Sequence, residues 1–270
     1  MAMRHESILH HLRACRPSLL HAIDPFKVPF EQVVEKAVAL NAYGFPAVIL
    51  ASTDWADFER VVGCCIDGIR AHAPDLPVLL HFPPRPGSGM PMVGRADATM
   101  YPFLLGSVDP YFVWRSYVET AEIAARHADE RPASRSELLH LAALTFGTDE
   151  RSRRVMALDP IVPTPGRLRA LCDTIDTLGL EGAYLFSRYE AVPARVCGYF
   201  RRTLKPEQIL FVSGGVRRPA QANAFFRAGA DFVVFCGALE CEHWRTVLDE
   251  MVSGCTIRLP GLARAAEMSR

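Results

Sequence analysis

Short apolar runs alternate along this chain with longer stretches in which apolar residues recur every three to four positions. The runs have the length of strands and the stretches the period of helices. The pattern predicts a leading helix over 1–18, then strands over 19–23, 47–50 and 77–82, with helices over 30–41 and 55–72 between them. It then breaks. Residues 83–95 read PPRPGSGMPMVGR, with four prolines and three glycines in thirteen residues, a composition that forbids a helix. A strand over 98–104 therefore follows the third strand through a loop. A long helix over 110–127 comes next, then a further helical piece over 133–145 and a strand over 155–162. The series continues with a helix over 167–178, a strand over 182–186 and a helix over 192–204. It closes on strands 209–212 and 232–235 around a helix over 219–228. Eight strands alternating with helices predict an α/β fold, a TIM (β/α)8 barrel whose third helix is replaced by a Pro/Gly-rich loop. One domain over 1–254 is expected, with a poorly ordered tail over 255–270.

Composition narrows the function classes. The chain has 270 residues, half of them hydrophobic, enough for one barrel and a large core. Lys plus Arg and Asp plus Glu are both 30, a balance that argues against nucleic acid as partner. The eight cysteines include no CxxC pair, which reads as reduced thiols in a cytoplasmic protein. No apolar run is long enough to span a membrane, and the first residues lack the apolar stretch of a signal peptide.

In such a barrel the chemistry lies on the loops after each strand's C-terminal end. The last two strands carry the strongest signal. Ser213, Gly214 and Gly215 follow one, and Cys236-Gly237 the other, with an Ala-Gly-Ala-Asp turn between. Two Gly-bearing strand-to-helix turns in tandem form a grip for a phosphate, with backbone N–H groups aimed at the anion. Asp24 and Lys27 end the first strand. Asp24 is the best metal candidate, suited to Mg²⁺, which binds through a carboxylate together with phosphate oxygens; the other reading is a helix-capping turn. Thr53 fits either a metal or diphosphate shell or a cap. His81 has no His or Cys at ligand spacing and reads as a packed or hydrogen-bonded histidine. Arg217 fits a surface ion pair or a phosphate. Tyr101 and Tyr111 read as core, or as the wall of an apolar groove beside the missing helix.

Several stretches resemble one family, the geranylgeranylglyceryl and heptaprenylglyceryl phosphate synthases. IDPFK at 23–27 is similar to their I/L-D-P-x-K, and FPP at 82–84 to their F-P-G. The stretch ADATMYPFLLGSVDPYF at 96–112 resembles their fourth strand and the segment after it. VSGGVRRPAQANAFFRAGADFVVFCGALE resembles their phosphate-binding end. The resemblance covers most of the chain. It implies a TIM barrel lacking its third helix and an Mg²⁺-dependent transfer of a prenyl group from its diphosphate to the hydroxyl of a three-carbon phosphate. It further implies that Asp24 holds Mg²⁺ with Thr53 in its shell. Ser213, Gly214, Gly215 and Gly237, with Lys27, would bind phosphate, and the prenyl chain would lie by Phe82, Tyr101 and Tyr111. A homodimer is expected, as is peripheral membrane contact through the lipid product.

One departure alters the expected acceptor. The family's Y-L-E-x-G-S-G is here Tyr184-Leu185-Phe186-Ser187-Arg188-Tyr189-Glu190. The Tyr is kept, the Glu that contacts the glycerol hydroxyls is Phe186, and Arg188 stands close by. Losing a carboxylate and gaining a cation favours an acidic acceptor, by about 1–4 kcal/mol for neighbouring charges. Tyr184 and Arg188 therefore join Asp24 as candidate catalytic groups. The preferred reading is farnesyl transfer to 3-phosphoglycerate. That reaction matches the family's farnesyl-phosphoglycerate synthase branch, which serves moenomycin-type antibiotic assembly in actinobacteria. Prenylation of glycerol 1-phosphate, another phosphate-binding barrel enzyme, and an inactive phosphate-binding barrel are the alternatives.

Overall fold

The computed structural model describes residues 7–53, 57–90, 95–126, 136–147, 150–187, 191–257 and 259. Eight parallel strands close into a barrel in sequence order. After α1 (Ile8–Ala14) come β1 (Ser18–Ile23), α2 (Phe30–Ala42), β2 (Val48–Ala51), α3 (Phe58–His72), β3 (Val78–His81) and β4 (Ala98–Leu104). A π-turn (Tyr111–Arg115) leads into α4 (Ser116–Arg126), followed by β5 (Glu137–Thr145), α5 (Glu150–Met156), α6 (Pro165–Thr177), β6 (Gly182–Phe186) and α7 (Ala194–Thr203). The chain continues through β7 (Ile209–Ser213), α8 (Pro219–Arg227), β8 (Phe232–Phe235), a 3-10 turn (Gly237–Leu239) and α9 (Trp244–Gly254). Among the described residues between β3 and β4 there is no helix, as the prolines require.

The alternation of side chains along each strand builds two cores. Leu20, Ile49, Leu79, Met100, Leu141, Phe211 and Val234 point inward and fill the barrel. Their neighbours, among them Leu19, Leu50, Leu80, Leu144 and Val233, point outward under the helices. Helix α1 stoppers the N-terminal end. Its Ile8 and Leu12 join the inner core, and burial of Leu12 contributes roughly 2 kcal/mol. Glu137, at the foot of β5, accepts the Ile8 and Leu9 N–H groups at 2.7 and 3.2 Å and so satisfies the first turn of α1. The open end of the barrel is the C-terminal mouth.

Two expected elements are exchanged. The stretch read as helical over 133–145 contains β5, and the strand expected over 155–162 is the end of α5 followed by a loop. Leu and Ala are good helix formers, so ELLHLAALT has no β-propensity to betray it. It forms a strand because it is covered on both faces, Leu139 and Leu141 inside and Ala142 and Leu144 outside. Val155 is left on the surface at 39% exposure. Thr164, just beyond the stretch expected as a strand, caps α6, its hydroxyl accepting from Arg167 N–H at 3.3 Å. The long helix expected from 110 starts as the π-turn, and the leading helix is described only over Ile8–Ala14. In the tail, Cys255, Ile257 and Leu259 pack against the outer core. Residue 258 and residues 260–270, where the poorly ordered tail was expected, lie outside the described residues. The Asp of the Ala-Gly-Ala-Asp turn is structural. Asp231 accepts Leu210 N–H and the Arg201 guanidinium, each at 2.9 Å, locking β7 to β8 beneath the mouth.

Candidate active site at the barrel mouth

A cavity of about 540 Å³ opens at the C-terminal ends of the strands. It collects Asp24 and Lys27 from β1, Thr53 after β2 and His81 from β3. From the other side come Tyr184 and Phe186 of β6, Ser213 of β7 with Gly214 and Gly215 after it, and Gly237 and Glu240 after β8. Residues far apart in sequence meet here because every parallel strand ends at the same rim.

The two glycine turns are built differently. Gly214 has φ +102° and Gly215 φ +65°, in the region where L-residues are strained. A Cβ on Gly214 would lie 1.9 Å from the Ser187 carbonyl oxygen, so the β7 turn is pressed against the end of β6. At Gly237 a Cβ would meet only Glu240 Oε2, at 3.9 Å. That glycine is small toward the cavity rather than toward the backbone. Beneath it, Lys36 of α2 is 1% exposed and donates to the Leu239 carbonyl at 2.9 Å. Burial lowers its pKa, with Glu240 acting in the opposite sense. Lys36 thus ties the 3-10 turn to α2 and places a cation below it.

At β1, Asp24 is 7% exposed. Its carboxylate accepts Phe26 N–H at 3.1 Å and lies 3.3 Å from the Lys27 ammonium. Its backbone carbonyl takes the Lys27 and Val28 N–H groups, each at 3.1 Å. The capping turn is therefore formed while the carboxylate still faces the cavity. Among the described residues no group of three or more acidic, His or Cys side chains is arranged to hold a metal ion. The donor set at this end is one carboxylate with the Thr53 hydroxyl and room for substrate oxygens. That set fits a hard cation such as Mg²⁺, which is commonly held by one or two carboxylates and phosphate oxygens.

Tyr184 is buried, and burial pushes its hydroxyl up to about 12, so it stays protonated; a hydrogen bond joins it to Ser213. Its ring lies 4.9 Å from that of His81, edge to face, and 5.9 Å from that of Phe186. Burial pushes His81 down to about 4, against a hydrogen bond to the Met100 carbonyl, so the imidazole is neutral. Phe186 lines the cavity as an apolar wall. Arg188, its expected cationic neighbour, lies outside the described residues.

The residues proposed for the prenyl groove are not in this cavity. Tyr101 is fully buried on the outer side of β4, its hydroxyl 2.5 Å from that of Ser116. Met100 and Leu104 carry the inward positions of that strand, so Tyr101 must face α4. Phe82 packs edge-on against Phe58 at 4.7 Å. Tyr111 bonds Glu119 at 2.7 Å. The cavity's apolar lining comes instead from Pro83, Pro102, Leu104, Met156 and Phe186. A second, shallower depression of about 430 Å³ lies between Leu105–Val108 and Asp159–Arg167 and contains none of the glycine turns.

Sequence reasoning missed Lys36 and Glu240 and gave His81 a packing or hydrogen-bonding role. Lys36 carries a signal, since it occupies an apolar-face position of α2, three residues after Val33 and four before Leu40, both fully buried. His81 follows Leu79 at the strand period of two, which assigns it to the inner face.

No family model matches the chain. Among curated proteins it is similar to the geranylgeranylglyceryl phosphate synthase of Caldivirga maquilingensis, 26% identical over 257 residues, covering 92% of this chain and 89% of that protein. The synthase of the same name from Methanopyrus kandleri is 29% identical over 240 residues, covering 86% and 92%. Among solved structures, (S)-3-O-geranylgeranylglyceryl phosphate synthase from Thermoplasma acidophilum, in complex with its substrate sn-glycerol-1-phosphate, superposes with TM-score 0.77. Its identity is 22%, over 94% of this chain and 98% of that one. The synthase from Thermoplasma volcanium also gives 0.77, at 19% identity. At these identities the structural likeness establishes the barrel and nothing finer.

Proposed function

We propose that this chain is a prenyltransferase that joins an allylic prenyl diphosphate to the hydroxyl of a three-carbon phosphate. The observation that carries the reading is the meeting, in one cavity, of the Gly214–Gly215 and Gly237 turns with Asp24 and Lys27. One wall offers backbone amides for an acceptor phosphate, the other a carboxylate and a cation for a diphosphate. The names of the similar synthases support glycerol 1-phosphate as acceptor better than the 3-phosphoglycerate favoured by the sequence. Glycerol 1-phosphate is therefore the first reading.

A second reading, 3-phosphoglycerate, rests on one observation. Phe186 puts a ring on the cavity wall where the resembling family has a carboxylate, so no charge at that position repels an acidic acceptor. Arg188 would add a forked partner for the acceptor's carboxylate. Farnesyl as donor, and a role in antibiotic assembly, belong to this second reading.

The chain's own groups suggest the course of the reaction. The β7 and β8 turns fix the acceptor phosphate, so its hydroxyl is held at the reacting carbon; such positioning supplies much of a transfer rate. Tyr184, protonated, can donate to an acceptor oxygen while Ser213 steadies it. Lys27 neutralises charge on the departing diphosphate. Asp24 and Thr53 are the groups that would hold Mg²⁺, whose charge assists departure of the diphosphate when it is bound. Leu104, Met156 and Phe186 keep water from the allylic carbon.

The test is transfer itself. The purified chain is incubated with Mg²⁺, labelled farnesyl or geranylgeranyl diphosphate, and each acceptor in turn. An ether product with glycerol 1-phosphate is expected, and Asp24→Ala should abolish it. Product with 3-phosphoglycerate alone moves the assignment to the second reading. The absence of ether with both acceptors and both donors overturns the proposal.

A further inference from the structure

The transfer just proposed releases a proton, and at the end of β6 the cavity wall presents Phe186, a ring that cannot take it. The cavity offers few groups in its place. Asp24 is engaged with Lys27 and Phe26 N–H. Glu240 accepts from the Cys236 thiol at 3.5 Å and lies above the buried Lys36, at the phosphate end. Tyr184 is already protonated. Cys236 is likewise held as a thiol, pushed up to about 12 by burial. Lys27 and Arg217 are cations. The remaining titratable group on the described wall is His81.

His81 is well placed. Its ring faces the inside of the barrel at the rim and packs on the edge of Tyr184, whose hydroxyl reaches Ser213 at the start of the phosphate turn. Tyr184 thus touches both the phosphate turn, through its hydroxyl, and the imidazole, through its ring. Nδ1 of His81 is buried and has no hydrogen-bond partner among the described residues. A buried polar atom without a partner is costly and therefore uncommon. A hydroxyl delivered across Tyr184 would supply that partner.

We propose that His81 is the proton acceptor of the transfer, taking the acceptor's hydroxyl proton on Nδ1. The hydroxyl oxygen bonds to the allylic carbon as that carbon's bond to the diphosphate breaks. The diphosphate leaves with the electron pair, and the proton passes to the imidazole and then to solvent. This inference rests on the prenyl-transfer reading. A weak base suffices, because the attacking oxygen becomes strongly acidic as its new bond forms. The neutral imidazole is available for this step across the physiological range, and the arrival of two phosphate-bearing substrates would raise its basicity.

The test compares the wild-type chain with His81→Gln and His81→Asn, which keep polar atoms but cannot accept the proton. Circular dichroism and thermal melting confirm that each variant is folded. Loss of a general base should lower kcat by about 10²-fold or more. Affinity for the acceptor, measured by calorimetry without prenyl diphosphate, should stay within roughly threefold of wild type, because the lost interaction belongs to the transition state. His81→Ala should regain turnover with added imidazole, a response a packing role would not produce. If the two amide variants turn over within about threefold of wild type, or lose only acceptor affinity, the assignment of His81 is overturned while prenyl transfer stands. If the wild-type chain forms no ether with either acceptor, the transferase reading fails and His81 with it.

Discussion

Replacing Gly214 with alanine should damage both the fold and the phosphate grip, whereas the same change at Gly237 should damage the grip alone. At Gly214 two costs add. A side chain at φ +102° carries strain of order 1–3 kcal/mol. Its Cβ would also sit 1.9 Å from the Ser187 carbonyl oxygen, more than an ångström inside ordinary contact, and the neighbour is backbone that cannot rotate away. Relief requires the β6 and β7 ends to part, and forced overpacking typically costs about 1–3 kcal/mol. A total of about 4 kcal/mol lowers the melting temperature by roughly 8–16 °C in a chain of this size. At Gly237 the new methyl meets nothing closer than Glu240 Oε2 at 3.9 Å, so the melting temperature should not move. The methyl would stand in the path of the anion, and phosphate affinity should fall about tenfold, or about 1.4 kcal/mol. Differential scanning calorimetry and titration calorimetry with glycerol 1-phosphate read the two effects separately. Wild-type stability and affinity in Gly214→Ala would refute the reasoning, as would equal melting losses at both positions.

Further outcomes follow from the same geometry. Phe186→Glu should shift kcat/KM away from 3-phosphoglycerate and toward glycerol 1-phosphate by about 10-fold or more, from a like-charge penalty of about 1–4 kcal/mol; an unchanged ratio in acceptor competition would contradict the second reading. His21 and His81 are held neutral by burial, at about 3 and about 4, while both take up protons near 6.5 in the unfolded chain. The unfolded state therefore binds more protons between these limits, and stability should fall as pH is lowered from 6.5 toward 4. The His81 part alone comes to about 3 kcal/mol. Urea unfolding at several pH values measures this loss, and His21→Phe should flatten the slope. Lys36→Met removes the hydrogen bond to Leu239 and the cation under the 3-10 turn. It should weaken phosphate binding several-fold, with less effect on prenyl diphosphate affinity, as calorimetry with each substrate would reveal.

The elements legible in the sequence are those whose local chemistry agrees with their tertiary setting. The β7–β8 module is one: Val and Phe favour strands, glycine is needed at Gly214, and Asp231 sits where two strand ends must be tied. The prolines of 83–95 exclude a helix, and none is present among the described residues there. β5 was not legible, because its leucines and alanines favour a helix and only burial on both faces overrides them. That burial belongs to the closed barrel and to no window of sequence. The same holds for the site. Asp24, Thr53, Tyr184 and the glycine turns were found from strand ends, and the barrel brings them into one cavity. The period of two, counted from Met100, turns Tyr101 outward, so it lies against α4 and outside the mouth cavity. Glu240 and Lys36 escaped because their significance lies in a contact between α2 and the turn after β8, some two hundred residues apart.

The most direct measurement is a crystal structure of the chain soaked with glycerol 1-phosphate. The account predicts phosphate oxygens within hydrogen-bonding distance, about 2.7–3.2 Å, of the backbone nitrogens at Gly214, Gly215 and Gly237, with the free hydroxyls directed toward Tyr184 and His81. Density for the phosphate in the depression beside Thr164 and Arg167, with the barrel mouth empty, would contradict it.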